Sequence, residues 1–306
     1  MLLVIGDAIL DRYLFGICPR LSPEAPVPIM QVTGTIDQAG GACNVALNVD
    51  ALGGNPRLMS IVGQDEPARA LVDVLHHNSL SHFHLQQERI ETTVKTRHVS
   101  GNQHLLRIDS EEKAKTEQLD NILKYYGEYV EESDFVIFSD YDKHFQCRAQ
   151  EIIRTANEAK TRIAVDPKSA YWELYRGADL ITPNLKEFKK VQKECGTFHS
   201  SEPKDILKRF GIKSMLITEG KDGMTLWNQR RKTPIHVEAE QQEVIDVTGA
   251  GDTVIAAFVL GRVRGYSEQE SMEFATSAAG TVCRKIGTAV AWADEVKRPE
   301  LKQQVA

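Results

Sequence analysis

An α/β fold built on a mostly parallel, doubly wound sheet is predicted by three observations. Short apolar runs rich in β-branched residues alternate with amphipathic stretches of helical period. The runs are apolar throughout rather than at every second position, as strands covered on both faces must be. Glycine-rich turns stand where strands pass into helices. With 306 residues, 42% of them hydrophobic and 26% charged, the chain is long enough to form one large domain.

The elements follow in order. Residues 2–5 open the chain as a buried strand, because Met1 to Gly6 is apolar, lacks a basic leader and meets Asp7 at once. Residues 58–62, 135–139, 162–166, 180–182 and 215–218 read as further strands of the same sheet. Helices are predicted over 44–52, 67–80, 117–131, 146–160, 185–194, 250–264 and 268–286. Residues 26–32, 92–99 and 104–108 break this rhythm, since they read as strands with no helix between them. They predict a small β excursion beside the core, an arrangement that commonly serves as a substrate lid or a dimer surface.

Charge and cysteine usage narrow the function. Lys and Arg number 37 against 43 Asp and Glu, a net charge of −6, which argues against a nucleic-acid or anionic-membrane partner. No apolar run approaches the roughly 20 residues of a membrane span. Cys18, Cys43, Cys147, Cys195 and Cys283 are widely spaced and odd in number, so a reducing cytoplasm is expected, with no disulfide framework or zinc site. His76, His77, His82 and His84 lack a cysteine to complete a metal site and read as surface or helix-end residues.

The strongest local signal is Asp246-Val247-Thr248-Gly249-Ala250-Gly251-Asp252, which opens an apolar helix. Small residues there leave backbone N–H groups open to a phosphate, and Asp252 in the first turn could take a proton from a hydroxyl. A tight turn with an acidic helix start would have the same sequence. The segment is neither GxGxxG nor a Walker A loop. Ala39-Gly40-Gly41-Ala42-Cys43-Asn44 also enters a helix, its glycines permitting close backbone approach and Asn44 offering both donor and acceptor.

These two glycine motifs, in this order and about two hundred residues apart, resemble the paired signatures of the ribokinase-like (PfkB) sugar kinases. Further motifs resemble the D-glycero-β-D-manno-heptose 7-phosphate kinases within that family: Leu21-Ser22-Pro23-Glu24-Ala25-Pro26, Thr92-Thr93-x-Lys95-Thr96-Arg97, Leu106-Arg107-x-Asp109, Ser139-Asp140-Tyr141-x-Lys143, Asp166-Pro167-Lys168, Thr182-Pro183-Asn184-x-x-Glu187 and Lys285-x-Gly287-Thr288. In some relatives such a kinase is fused to a nucleotidyltransferase, and only the kinase is expected in these residues. The resemblance implies a three-layer αβα ribokinase-like domain over 1–306, with a β-sheet lid from segments near 11–37 and 90–109. It also implies phosphorylation of the anomeric hydroxyl, giving the 1,7-bisphosphate for surface glycans such as lipopolysaccharide.

Residue by residue, the resemblance makes Asp252 the base, Gly249, Ala250 and Gly251 the anion hole, and Lys168 the cation of the active centre. Asp11, Gly40, Gly41 and Asn44 would hold sugar hydroxyls, Asp11 from the end of the first strand, with Arg12, Arg107 and Lys143 for the sugar phosphate. Asn184, Glu187, Thr218, Gly220, Thr248 and Thr276 would lie on the nucleotide side, with Asn184 and Glu187 organising Mg2+ through water. The implied cofactors are ATP and Mg2+, with a monovalent-cation requirement left open, and the expected assembly is a homodimer through the lid. His104, Asp142 and His144 depart from the pattern on the sugar side, Thr276 and Arg284 on the nucleotide side. They keep another sugar or sugar phosphate as the alternative substrate.

Overall fold

The computed structural model describes residues 1–101, 103–196, 202–241 and 243–299. Along the chain, β1 (Leu2–Gly6) is followed by two long strands, β2 (Ala8–Leu21) and β3 (Pro28–Gly41), then α1 (Ala42–Ala51), β4 (Pro56–Val62), α2 (Glu66–His77), β5 (Phe83–Gln87), β6 (Val94–Ser100) and β7 (Gln103–Ser110). Helices and strands then alternate through α3 (Asp120–Val130), β8 (Phe135–Ser139), α4 (Ala149–Glu158), β9 (Arg162–Asp166), β10 (Leu180–Ile181), α5 (Leu185–Gly196), α6 (Pro203–Phe210) and β11 (Ser214–Thr218). The last elements are β12 (Met224–Asn228), β13 (Ile235–Val237), α7 (Ala250–Val263) and α8 (Glu268–Cys283).

The larger sheet has the order β13-β12-β11-β10-β9-β8-β1-β4-β5. It is parallel except at the β11–β12 and β12–β13 pairings. Its strands are apolar on both faces because each face has its own core. Leu2 and Val4 of β1, with Phe135 and Ile137 of β8, enter the core shared with α1, α2, α7 and α8. Leu3, Ile5, Val136 and Phe138, one residue out of step, enter the core shared with α3, α4, α5 and α6. Side-chain alternation along a strand thus splits one apolar run between two layers of helix.

The smaller sheet has the order β3-β2-β6-β7, with β2 and β6 parallel and its other pairs antiparallel. The chain enters it directly from β1. A Cβ on Gly6 would strike the Ser139 carbonyl of β8, so glycine permits this close approach. Asp7 is fully buried in the turn that follows. Its carboxylate accepts N–H bonds from Tyr141 (2.8 Å), Lys143 (3.1 Å), His144 (2.8 Å) and Phe145 (3.3 Å), which fixes the loop after β8.

Two expectations change here. Asp11 is not at the end of the first strand: the chain leaves the large sheet at Asp7, and Asp11 sits within β2 of the small one. Strands β5, β12 and β13 and helix α6 were not anticipated. The first three are edge or near-edge elements with polar residues on their open side, and α6 has only eight residues. Among the described residues no helix is long and apolar enough to cross a membrane.

Candidate active site

Helix α7 is apolar on nearly every side and buried, so its N-terminus is brought to the centre of the molecule. Gly249 is its N-cap in the left-handed region, with φ of 78°, and no side chain caps the helix. A Cβ on Gly249 would lie 2.7 Å from the Asn44 amide nitrogen. Gly251 is exposed and a Cβ there would meet nothing within 4 Å, which leaves open space in front of the first-turn N–H groups. The preceding turn is held by Asp246, whose Oδ1 accepts from the Thr248 N–H (2.9 Å) and hydroxyl (2.7 Å) and whose Oδ2 accepts from the Gly287 N–H (2.9 Å). Burial pushes the Asp246 carboxyl up, but these bonds hold it below the usual range.

Asp252 lies in the first turn of α7, with only 1% of its surface exposed. Asn44 Nδ2 donates to its Oδ2 at 2.8 Å, and the Tyr141 hydroxyl donates to its Oδ1 at 2.8 Å. Asn44 is itself aligned by Asn48, whose Nδ2 donates to the Asn44 carbonyl (2.9 Å) and to its Oδ1 (3.1 Å). Burial pushes Asp252 up to about 6, against the pull of Asn44, Tyr141 and the Lys168 charge. It is therefore an ionised carboxylate poised close to neutrality, as an effective general base must be. Tyr141 stays protonated, because burial and then the Asp252 charge raise its phenol well above the ordinary value.

Two lysines meet at Tyr141. Lys95 from β6 and Lys168 from beyond β9 each place an ammonium 4.9 Å from the ring centroid. Lys168 also lies 3.3 Å from Glu187 Oε1. Asp166, at the end of β9, is buried, and that burial pushes it up to about 7 against the attraction of Lys168. Asn184 and Glu187 start α5 with a reciprocal cap: Asn184 Oδ1 accepts the Lys186 and Glu187 N–H groups (both 3.0 Å), and Glu187 Oε2 accepts the Asn184 N–H (2.8 Å). Thr218 bridges to Asn184, so Gly220 follows from the same sheet edge. Thr276 lies in α8 with a buried hydroxyl that has no partner among the described residues.

Among the residues expected to hold the sugar, Asp11 forms an ion pair with Arg97. A Cβ on Gly40 would collide with the Asp11 carboxylate, and one on Gly41, the N-cap of α1 with φ of 59°, with the Asp7 carbonyl. Arg12 is not gathered with these groups. As the neighbour of Asp11 on β2 it points to the opposite face, where Asp37 (2.7 Å) and Glu66 (2.9 Å) hold it. Arg107 is exposed and paired with Asp109 at 2.8 Å, and Lys143 is paired with Glu111.

A buried carboxylate between an amide and a phenol, in front of an uncapped helix start, can activate a hydroxyl beside a bound phosphate. The family described as pfkB family carbohydrate kinase matches residues 1–294. The chain belongs to this pfkB family. As a pfkB kinase it transfers phosphate to an alcohol group of a sugar. It is 41% identical over 298 residues to the bifunctional protein HldE of Nitrosococcus oceani and 40% identical over 300 residues to that of Coxiella burnetii. Each alignment covers 97% of this chain and 63% of the relative, so the chain spans less than two thirds of those proteins. The pfkB fold is shared with a ribokinase from Thermotoga maritima at a TM-score of 0.74 and 20% identity, covering 97% of this chain and 96% of that one. A phosphofructokinase-2 mutant from Escherichia coli matches at 0.77 and 17%, covering 96% and 95%.

Four residues of this pfkB site were not assigned a role from sequence: Tyr141, Lys95, Arg97 and Asp166. All four stand in motifs that carry the family resemblance, which was the available signal. Their chemistry depends on segments far apart in the chain meeting in space.

Proposed function

We propose that this chain catalyses ATP-dependent phosphorylation of the anomeric hydroxyl of D-glycero-β-D-manno-heptose 7-phosphate, feeding synthesis of nucleotide-activated heptose for a surface glycan. The observation that carries the reaction is the buried Asp252 carboxylate, held by Asn44 and Tyr141 at the open start of α7. The substrate reading is supported by the heptose-kinase motifs and by the identity to HldE proteins along 97% of the chain. In this reading Asp252 removes the proton from the sugar hydroxyl, which attacks the γ-phosphorus. The first-turn N–H groups of α7 and the Lys168 ammonium stabilise the charge on the equatorial oxygens.

Mg2+, when bound, would neutralise phosphate charge. Among the described residues no three His, Cys, Asp or Glu side chains gather as a metal cage. That suits an ion whose ligands come mostly from phosphate and water. Glu187 would hold it through water. Asn184, whose Oδ1 is occupied by two N–H groups, would offer its amide nitrogen to a phosphate oxygen instead.

Two of the three departures that favoured another sugar have structural partners. His144 is buried and its Nδ1 accepts the Ala114 N–H at 3.2 Å, while Asp142 pairs with Lys113 at 2.8 Å. The test is phosphorus NMR of the chain with Mg-ATP and the heptose 7-phosphate. A new anomeric phosphate signal with stoichiometric ADP is expected, and active kinase that leaves this sugar untouched would remove the substrate.

The small sheet is proposed as both lid and dimer surface of a single domain. Ile17, Leu21, Val27, Val32, Leu106 and Ile108 are exposed on it or its connecting turn, and grouped exposed apolar residues mark interaction surfaces. Sedimentation velocity at micromolar concentration should give a dimer, and a monomer would withdraw this part. All five cysteines are free, in keeping with the reducing cytoplasm in which ATP and sugar phosphates occur.

A further inference from the structure

The cations that sequence reasoning singled out already have counter-ions. Arg12 is held by Asp37 and Glu66, Arg107 by Asp109, Lys143 by Glu111 and Lys168 by Glu187. Lys95 differs: among the described residues its ammonium has neither an ion pair nor a hydrogen bond, only the face of Tyr141 at 4.9 Å. It is also largely withdrawn from water, and that burial, followed by the opposing attraction of Asp11 and repulsion from Lys143, leaves its pKa below the ordinary value. Removing a cation from water without a directly paired counter-charge costs free energy, and a ligand that pairs with it recovers part of that cost.

The position of Lys95 indicates what that ligand is. In the small sheet its Cα partners are Asp11 of β2 and Asp109 of β7, so the three side chains share one face, and Asp11 is the proposed sugar ligand. Two residues earlier, Thr93 buries a hydroxyl that has no partner among the described residues. Lys95 and Lys168 rest on the same Tyr141 ring, but the charges that act most on Lys168 are Asp166, Glu187 and Asp252, whereas those on Lys95 are Asp11, Lys143, Asp109 and Arg107, which sets Lys95 toward the small sheet. Lys143 and Arg107 are near enough to act on Lys95 electrostatically. The two carboxylates on this face are already engaged, Asp11 by Arg97 and Asp109 by Arg107, so an ammonium, an unpartnered hydroxyl and two flanking cations suit a phosphate, which supplies up to two charges and three acceptor oxygens.

We infer that Lys95 is the receptor for the phosphate the sugar already carries, with Thr93 as a second donor and Lys143 and Arg107 as outer cations. This inference rests on the reading of the chain as a kinase of a sugar phosphate. It makes Lys95 the residue that selects phosphorylated over plain sugars.

The test is steady-state kinetics of the full chain and its Lys95→Met and Lys95→Arg variants on the heptose 7-phosphate and on the same heptose without phosphate. In Lys95→Met the ratio of kcat/KM for phosphorylated over plain sugar should fall by about tenfold to a hundredfold, the loss of one charge-assisted bond. The fall should lie in KM for the sugar phosphate, and Lys95→Arg should recover part of it. An unchanged ratio, with both sugars losing equally, would make Lys95 a support for Tyr141 and overturn the inference. A rise confined to the KM for ATP would assign Lys95 to the transferred phosphate and also overturn it. If the parent enzyme does not use this heptose, the substrate assignment fails separately. The ratio is then measured with whichever sugar phosphate it does use, and no preference for phosphorylated sugars would end the inference too.

Discussion

Asp252→Asn should lower kcat by on the order of 10²–10⁴-fold, the range expected for removing a general base. The substitution keeps the side-chain shape and can still accept the Tyr141 hydroxyl on its oxygen. It replaces Oδ2 by an NH2 facing Asn44 Nδ2, two donors where a donor and an acceptor met at 2.8 Å. That mismatch costs about 1–3 kcal/mol, while the same change removes a buried charge. A folded protein with a modest shift in Tm is therefore expected, still binding ATP and sugar phosphate but without turnover. Coupled ADP release beside calorimetric titration checks both halves. Turnover within tenfold of the parent would show that Asp252 is not the base.

Tyr141→Phe separates orientation from charge. Phenylalanine keeps the ring on which Lys95 and Lys168 rest, and it removes only the hydroxyl that donates to Asp252 Oδ1 at 2.8 Å. Two effects are expected. Without the bond the carboxylate loses half of its fixed alignment, and kcat should fall by about tenfold to a hundredfold. The acid limb of the pH–rate profile should also move. Asp252 must be ionised to act, and its pKa is raised to about 6, so activity in the parent is lost as pH falls through that region. Tyr141 favours the ionised form. Removing it raises the pKa further, and the limb shifts to higher pH, by about one unit for a bond of ordinary strength.

The other groups acting on Asp252 are unchanged in that variant: Asp11 of β2, Cys43 and Asn44 of α1, Asp166 at the end of β9 and Lys168 beyond it. A purely structural tyrosine would lower the rate without moving the limb. A profile over pH 5–9 that keeps its acid limb in place would therefore reject the role assigned here.

Much of this site could be read from the chain because it lies at the starts of helices. Gly249 to Asp252 and Gly40 to Asn44 announce themselves locally, as small residues and a polar side chain ahead of an apolar helix. The parallel sheet was equally legible, since both faces of each strand had to be apolar. What could not be read was direction. Asp11 and Arg12 look equivalent in sequence, yet the strand pleat sends one to the site and the other to Asp37 and Glu66. Tyr141 gave no local sign either, because its role is set by Asp7, which binds four N–H groups of its loop from 134 or more positions away. Among the strands, β5 was hidden by its Phe-His-Leu-Gln-Gln composition, which suits a half-covered edge and has no apolar continuity.

The bond between Asn44 and Asp252 closes a separation of 208 positions, and it has a history as well as a geometry. At translation speeds of about 5–20 residues per second, α1 emerges roughly ten to forty seconds before α7, the helix that covers it and delivers the base. For the first part of that interval β1 also waits for β8, its neighbour at 135–139. The nascent chain carries the segment from Gly40 to Asn44 early, together with an uncovered apolar helix that chaperones would find. The Asp252 carboxylate joins it only once α7 has been made. The candidate site is thus assembled from an early half and a later one, and a chain stopped before α7 holds only the first.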